Sequence, residues 1–215
     1  MIYTIGVASR TIAHWDGDRF FASIEQAADR RLRGRAVVVG GERRGVVLSA
    51  SQEARRLGIR PGWPVGRARR AVPDLVVVPA HFELYERFFD EILWLCQEAT
   101  PAVEPAAVGA AWLDLTGTER VHAQDPRAVM ERIQTTVRRW LRVSLSTGIA
   151  ANRLVSRLAA RAGKPGGKVV VPAGGERAFL APLPVAALSG LRREELEALD
   201  LAGIRTLGQL ASAPV

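Results

Sequence analysis

The chain has one cysteine, Cys96, in 215 residues. That excludes an internal disulfide and a cysteine-based zinc site, and it fits a reducing cytosolic setting. No run approaches the roughly 18 apolar residues of a membrane span, and no secretory signal pattern opens the chain, so no membrane partner is expected. Histidine is scarce. His14, His81 and His122 have no neighbours at metal-ligand spacing, which leaves them structural or surface roles. There is no internal repeat and no low-complexity tract. What is abundant is positive charge. Thirty Lys and Arg, most of them Arg, face 22 acids for a formal net charge of +8. Such a balance suits a polyanion, nucleic acid first. With 48% hydrophobic and 24% charged residues the composition is globular.

The apolar period alternates between strand and helix. Strands are expected at 11–15, 36–39, 46–50, 75–79, 110–116, 143–150 and in the segment that follows "KPGG". Helices are expected at 19–32, with Phe20, Ile24 and Ala28 on one face, and over a short stretch capped by Ser51 and ended by Gly58. Others are a short one in "PGWPVGRARRAVP", a long one at 81–99 and two at 126–142 and 152–162. The long one carries Phe82, Phe88, Phe89, Ile92, Leu95 and Cys96 inward. In 126–142 Trp140 joins the apolar side, and in 152–162 Leu154 does. From about residue 176 only short helices remain. The class is α+β, with residues 11–50 and 110–171 forming a mixed sheet of the ferredoxin-like, split βαβ kind. The chain ends on "ASAPV" just after a helix, with nothing to close the fold, and a fragment boundary is expected there.

"IAHWDGDRFFASIEQ" sets Asp16 and Asp18 at a strand end. It resembles the opening pattern "hhHhDhDxFFAxVE" of Y-family, DinB-like translesion DNA polymerases. Four further stretches resemble that family in order: "GVVLSASQEARRLGIRPGWPVGRA", "VEPAAVGAAWLDLTG", "STGIAANRLVSRLAARAGKPGG" and "LPVAALSGLRREELEALDLAGIRTLGQLA". The resemblance implies a palm at 1–34 and 80–171, fingers at 35–79 and an all-helical helix–hairpin–helix thumb at 172–215, with the little-finger domain absent from this chain.

The family's reaction is a phosphoryl transfer that rests on positioning and on two Mg²⁺ ions. The resemblance gives Asp16 the first carboxylate, and it gives Gly109 and Ala110 the places of the other two. Four residues of strand put Asp114 roughly 13 Å from Ala110, too far for ions ~3.5–4 Å apart. Glu104 lies as far the other way. Asp16 and Asp18 together would hold one Mg²⁺ weakly at most; otherwise Asp18 is a solvated carboxylate at a helix N-terminus. For the nucleotide, the resemblance implies Phe21 as the steric gate against a ribose 2′-OH, with Phe20 a core residue. It also gives Arg55 and Lys164 as triphosphate ligands and Gln52 in the place of a tyrosine. For DNA, Arg153, Arg157, Arg161 and Lys168 form a basic strip, and Gly190 and Arg192 form the thumb hairpin.

Three readings follow. The first is a catalytically silent homologue acting as a scaffold or DNA-binding accessory, similar to ImuB-type mutasome subunits. It would meet primer–template DNA, a sliding clamp, and a replicative-type polymerase or recombinase partner in the bacterial cytoplasm, at the nucleoid. The second is a slow polymerase using Asp16, Asp18 and substrate phosphates. The third is a fold kept for protein contacts alone.

Overall fold

The computed structural model describes residues 10–41 and 45–213. In chain order the elements are β1 (Ile12–Gly17), α1 (Phe20–Ala28), β2 (Val37–Gly40), β3 (Val47–Ala50), α2 (Gln52–Arg56), α3 (Val65–Ala71) and β4 (Val76–Val78). Then come α4 (Phe82–Gln97), β5 (Val103–Ala107), β6 (Ala110–Asp114), α5 (Glu119–His122), α6 (Pro126–Leu141), β7 (Leu145–Ala150), α7 (Arg153–Ala162) and β8 (Lys168–Val170). Three short helices end the described chain: α8 (Glu176–Leu180), α9 (Arg193–Leu201) and α10 (Leu207–Ala211).

The larger sheet runs β5-β6-β1-β7-β8. β1 is antiparallel to both β6 and β7, and β8 adds in parallel to β7. Read as β7-β1-β6-β5 with α4 and α6 as its crossovers, this is the split βαβ arrangement expected of a palm. β5 has no counterpart among the expected strands. Glu104 and Pro105 break its apolar pattern, and a proline is tolerated there because β5 is an edge strand.

Alternation along β1 sets the chemistry of the two sheet faces. Ala13 and Trp15 enter the main core with Tyr85, Phe89 and Ile92 of α4 and Val129, Met130 and Ile133 of α6. His14 and Asp16 point the other way, toward α7. Gly148 is paired with His14, and α7 lies directly on it: a Cβ at Gly148 would collide with the Ser156 carbonyl and the Ala160 amide. Only glycine allows helix and strand backbones to meet so closely.

Three expected core residues are solvent-facing. Phe82 is 55% exposed, Trp140 67% and Leu154 40%. The buried set on α4 is Tyr85, Phe89, Ile92 and Cys96; Phe82 lies one turn before Tyr85 on the same face and meets its ring edge-on, but it is the first residue of the helix and stays half exposed. Ala28, at the end of α1, is exposed as well.

The single sheet expected from residues 11–50 and 110–171 is in fact two: β2 and β3 take no part in the larger one and pair with β4 in a smaller, sandwiched sheet, β3-β2-β4. Val39 of β2 reaches the main core, while Val38 faces Ala54 and Ile59 in and after α2 and Val65 and Ala68 of α3. Part of the expected turn between β2 and β3 lies outside the described residues. The helical end packs around Leu158, Val185 and Leu207.

Candidate functional site

Asp16 stands at the end of β1 with Ala110 directly across on β6 and Ser146 directly across on β7. The Gly17 amide donates to the Gly109 carbonyl at 2.8 Å, which fastens the β5–β6 turn onto β1. The two positions expected to supply acids therefore do flank Asp16, and they carry a hydrogen and a methyl. Asp114 is paired with Ile12 at the far end of β1 and is held by Arg10 at 3.0 Å. Glu104 pairs with Arg153. Among the described residues no group of three or more His, Cys, Asp or Glu is placed to hold a metal ion.

A cation does meet Asp16, and it belongs to the chain. Lys164 Nζ lies 2.6 Å from Asp16 Oδ1, 3.2 Å from the Gly17 carbonyl and 3.8 Å from Asp18 Oδ1. This donor set does not fit a pair of divalent ions, because one carboxylate and one carbonyl, already facing an ammonium, fall short of the oxygens two hard cations require. Gly109 has φ +95, and a Cβ there would lie 2.7 Å from Phe20 Cδ1. An aspartate at 109 would be strained in backbone and side chain alike.

Asp18 is corrected on both counts expected of it. It is not solvated, at 1% exposure, and its oxygens are not offered to a metal. Oδ1 accepts from Ser146 Oγ at 2.7 Å, while Oδ2 accepts from Ser144 Oγ and from the Gly166 amide, each at 2.7 Å. With the Asp18 amide donating to the Ser144 carbonyl, this carboxylate ties the end of β1 to the start of β7 and to the loop that carries Lys164. Sequence reasoning missed Ser144, Ser146 and Gly166. The available signal was two serines, two apart, in an otherwise apolar strand, which asks for a polar partner on that side.

The expected nucleotide residues have different immediate partners. Phe21 stacks on Tyr85 with ring centroids 4.5 Å apart and meets Phe82 edge-on, so it is packed against α4. The Tyr85 hydroxyl donates to Glu25 at 2.6 Å, and His81 Nδ1 lies 2.9 Å from the same oxygen. Phe20 is buried, as expected of a core residue. Gln52 and Arg55 are exposed on α2, three residues apart and thus on one side of it. Burial, then the neighbouring charges of Arg19 and Arg60, hold the Arg55 guanidinium below the ordinary arginine pKa. Arg19 adopts φ 53, a left-handed conformation that is uncommon for arginine, immediately before α1. Lys164 has Asp16 as its partner.

The expected basic strip is divided and half neutralised: Arg153 and Lys168 are in ion pairs, while Arg157 and Arg161 are in none among the described residues. Arg153 pairs with Glu104 and lies over Trp112. Lys168 reaches α6, on the opposite face of the sheet from α7, and holds Glu131 at 2.6 Å. Arg157 donates to Ser189 Oγ at 2.8 Å and so fastens α7 to the helical end. At the hairpin Gly190 has φ +98, but Arg192 has φ −77 and is unstrained. The Arg192 amide donates to Glu195 at 2.7 Å and its guanidinium to the same carboxylate at 3.0 Å. That amide is capped by the chain itself and is not turned out toward a phosphate.

His14 is buried between Trp112, with centroids 5.0 Å apart, and α7. Burial, followed by the charges of Arg157 and Lys164, lowers its pKa to about 4. The unfolded chain then takes up a proton near the ordinary 6.5 that the folded chain refuses, so stability falls as pH drops from about 6.5 toward 4. The expected loss is about 3 kcal/mol at the acid end of that window. Urea melts at pH 7.5 and 4.5, native against His14→Phe, read it; an equal pH slope in both proteins would refute it. The His122 side chain lies outside the described residues.

Residues 15–161 match the model of the impB/mucB/samB family. The chain is 40% identical over 205 residues to a DNA polymerase IV of Streptomyces coelicolor, covering 94% of this chain and 43% of that protein. It is 36% identical over 210 residues to a DNA polymerase IV of Dehalococcoides mccartyi, covering 97% and 54%. The chain thus spans about half the length of the curated relatives it matches. Among solved structures, an insertion ternary complex of Dbh DNA polymerase superposes with TM-score 0.85 at 26% identity, covering 95% of this chain and 61% of the other. DinB from Sulfolobus solfataricus gives 0.84 at 25% identity, covering 95% and 60%. A five-stranded palm sheet with Asp16 at the end of its central strand, a small fingers sheet and a helical thumb agree with both comparisons, and the chain belongs to the impB/mucB/samB family of Y-family polymerase domains.

Proposed function

We propose that this chain is the polymerase-fold part of a translesion-synthesis protein that binds primer–template DNA without carrying out nucleotidyl transfer at a useful rate. The carrying observation is the surroundings of Asp16: Ala110 opposite, Gly109 in the turn and the Lys164 ammonium on its oxygen. The protein then works as an accessory, similar to ImuB-type mutasome subunits, that brings DNA together with a separate polymerase, a sliding clamp or a recombinase at the bacterial nucleoid. Any Mg²⁺ it takes is a single weakly held ion at Asp16. Phe21, Gln52 and Arg55 are the remains of a nucleotide pocket.

The competing reading is a slow, metal-dependent polymerase, favoured by the 40% identity to a DNA polymerase IV. Metal ions supply several kcal/mol of transition-state stabilisation, so losing two of three ligands should cost at least about 10³-fold in rate. Single-turnover incorporation on primer–template DNA with Mg²⁺ and with Mn²⁺, beside an active relative, separates the two readings. Ala110→Glu provides the internal control, since it restores a carboxylate opposite Asp16 without the strain expected at Gly109. Native incorporation more than about 10³-fold below the relative, with Mn²⁺ binding gained in Ala110→Glu, supports the accessory reading. Native turnover within tenfold of the relative overturns it.

A further inference from the structure

The positive charge is concentrated in one part of the chain. Residues 35–79 hold nine arginines against three acids, so +6 of the net +8 lies in 45 residues. Residues 172–215 hold four arginines against five acids. Local pairing sharpens the contrast. In the thumb, Arg192, Arg193 and Arg205 each hold a carboxylate, at 3.0, 2.7 and 2.8 Å. On the fingers helices and the loop between them, Arg55, Arg56, Arg60, Arg67, Arg69 and Arg70 are all exposed. None of the six is in an ion pair among the described residues; the polar partners they do have are carbonyls and a ring. Arg60 Nη1 donates to the Arg55 carbonyl at 2.9 Å, and the Arg67 guanidinium lies 3.9 Å from the Trp63 ring centre.

The sheet explains why these side chains share one layer. Ala54, Val65 and Ala68 turn inward onto Val38, so the intervening arginines of α2 and α3 point away from the main core. Burial first, and then the charges of Arg19 and Arg60, lower the pKa of Arg55, which agrees with cations set close together. Such a cluster weakens the free fold and is relieved when a polyanion neutralises it. Guanidinium groups suit phosphate oxygens, which they meet in two-pronged contacts.

We propose that the outer layer formed by α2 and α3 is a nucleic-acid backbone-binding face, and that this layer, not the thumb, supplies the main electrostatic grip of the chain. The proposal rests on the DNA-binding part of the reading above. Its test is fluorescence anisotropy of the native chain with a labelled single strand, a duplex of equal length and a primer–template, over 50–300 mM salt. The variants are Arg56→Ala/Arg69→Ala/Arg70→Ala in the fingers and Arg192→Ala/Arg193→Ala/Arg205→Ala in the thumb, each checked by thermal melting. The fingers variant is expected to lose at least tenfold in affinity and to lower the salt slope by about 2 to 3, the thumb variant to change less than about threefold. Loss toward single strand or duplex alike supports the proposal, and the form that loses more is the one this face meets. A fingers variant that binds like the native chain overturns the proposal alone. A native chain that binds no nucleic acid at low salt, or binds only anionic phosphatidylserine vesicles, overturns the DNA-binding reading as well.

Discussion

Asp18→Ala is expected to cost about 3 kcal/mol, because it removes the buried acceptor shared by three donors: the hydroxyls of Ser144 and Ser146 and the amide of Gly166, which keeps only its weaker second acceptor, Ser146 Oγ at 2.9 Å. The hydroxyls can turn toward other acceptors; the amide is fixed in the backbone. The loop that presents Lys164 should therefore loosen first. Urea denaturation measures the stability, and amide hydrogen exchange at Gly166 measures the loop. Asp18→Asn is expected to fall between native and alanine, since its amide keeps one acceptor oxygen but turns an NH₂ toward donors. If Asp18→Ala melts with the native protein, or if the Gly166 amide stays protected, the positioning role assigned to Asp18 is wrong. The result also bears on the palm site. Asp18 holds the loop, the loop holds Lys164, and Lys164 sits on Asp16, so three elements far apart in the chain are set by one buried acid.

Gly148→Ala is expected to be more damaging still. The added methyl would meet the Ser156 carbonyl and the Ala160 amide, both backbone atoms of α7, and would lie 2.8 Å from the Ala159 methyl. No flexible side chain can yield there, so α7 must lift from β7. A loss of about 4 kcal/mol or more, close to 10 °C in Tm for a chain of this size, is the expected outcome. Gly66→Ala is the matched control. Gly66 lies inside α3, where the nearest atom to a new Cβ is the end of Arg70 at 3.9 Å, and replacing a helical glycine there should stabilise by roughly 0.5–1 kcal/mol. A Gly148→Ala protein within about 2 °C of native would show that the helix has freedom to move. The same contact matters for the site, because α7 covers the sheet face on which His14 and Asp16 stand.

Charge neutralisation explains why the expected DNA residues are placed differently from those the structure favours. Arg153, Lys168 and Arg192 are basic in sequence, yet each is matched by a carboxylate that is distant in sequence or one helical turn away. Exposed pairs of this kind contribute little stability, about 0–1 kcal/mol, but they reduce the charge a polyanion meets. Arg55, Arg56, Arg60, Arg67, Arg69 and Arg70 of the fingers differ in forming no ion pair among the described residues, although Glu53 shares α2 with two of them.

The amino-acid sequence alone determined the long helices and the strands of the palm and fingers other than β5, since apolar period is a local property, and its resemblance to the family's motif located the deficit at Gly109 and Ala110. It left β5 unread because Pro105 and an exposed edge leave no period to detect, and it turned Phe82, Trp140 and Leu154 inward because a helix face is fixed by what packs on it. Tertiary structure decided the rest. It brought Lys164 onto Asp16, buried Asp18 under Ser144, Ser146 and Gly166, and matched Arg192, Arg193 and Arg205 of the thumb with carboxylates while leaving the arginines of α2, α3 and the loop between them without an ion pair among the described residues. A side chain's partner depends on which distant strands and loops converge around it, and burial then decides whether that partner is needed, as it is for a carboxylate at 1% exposure.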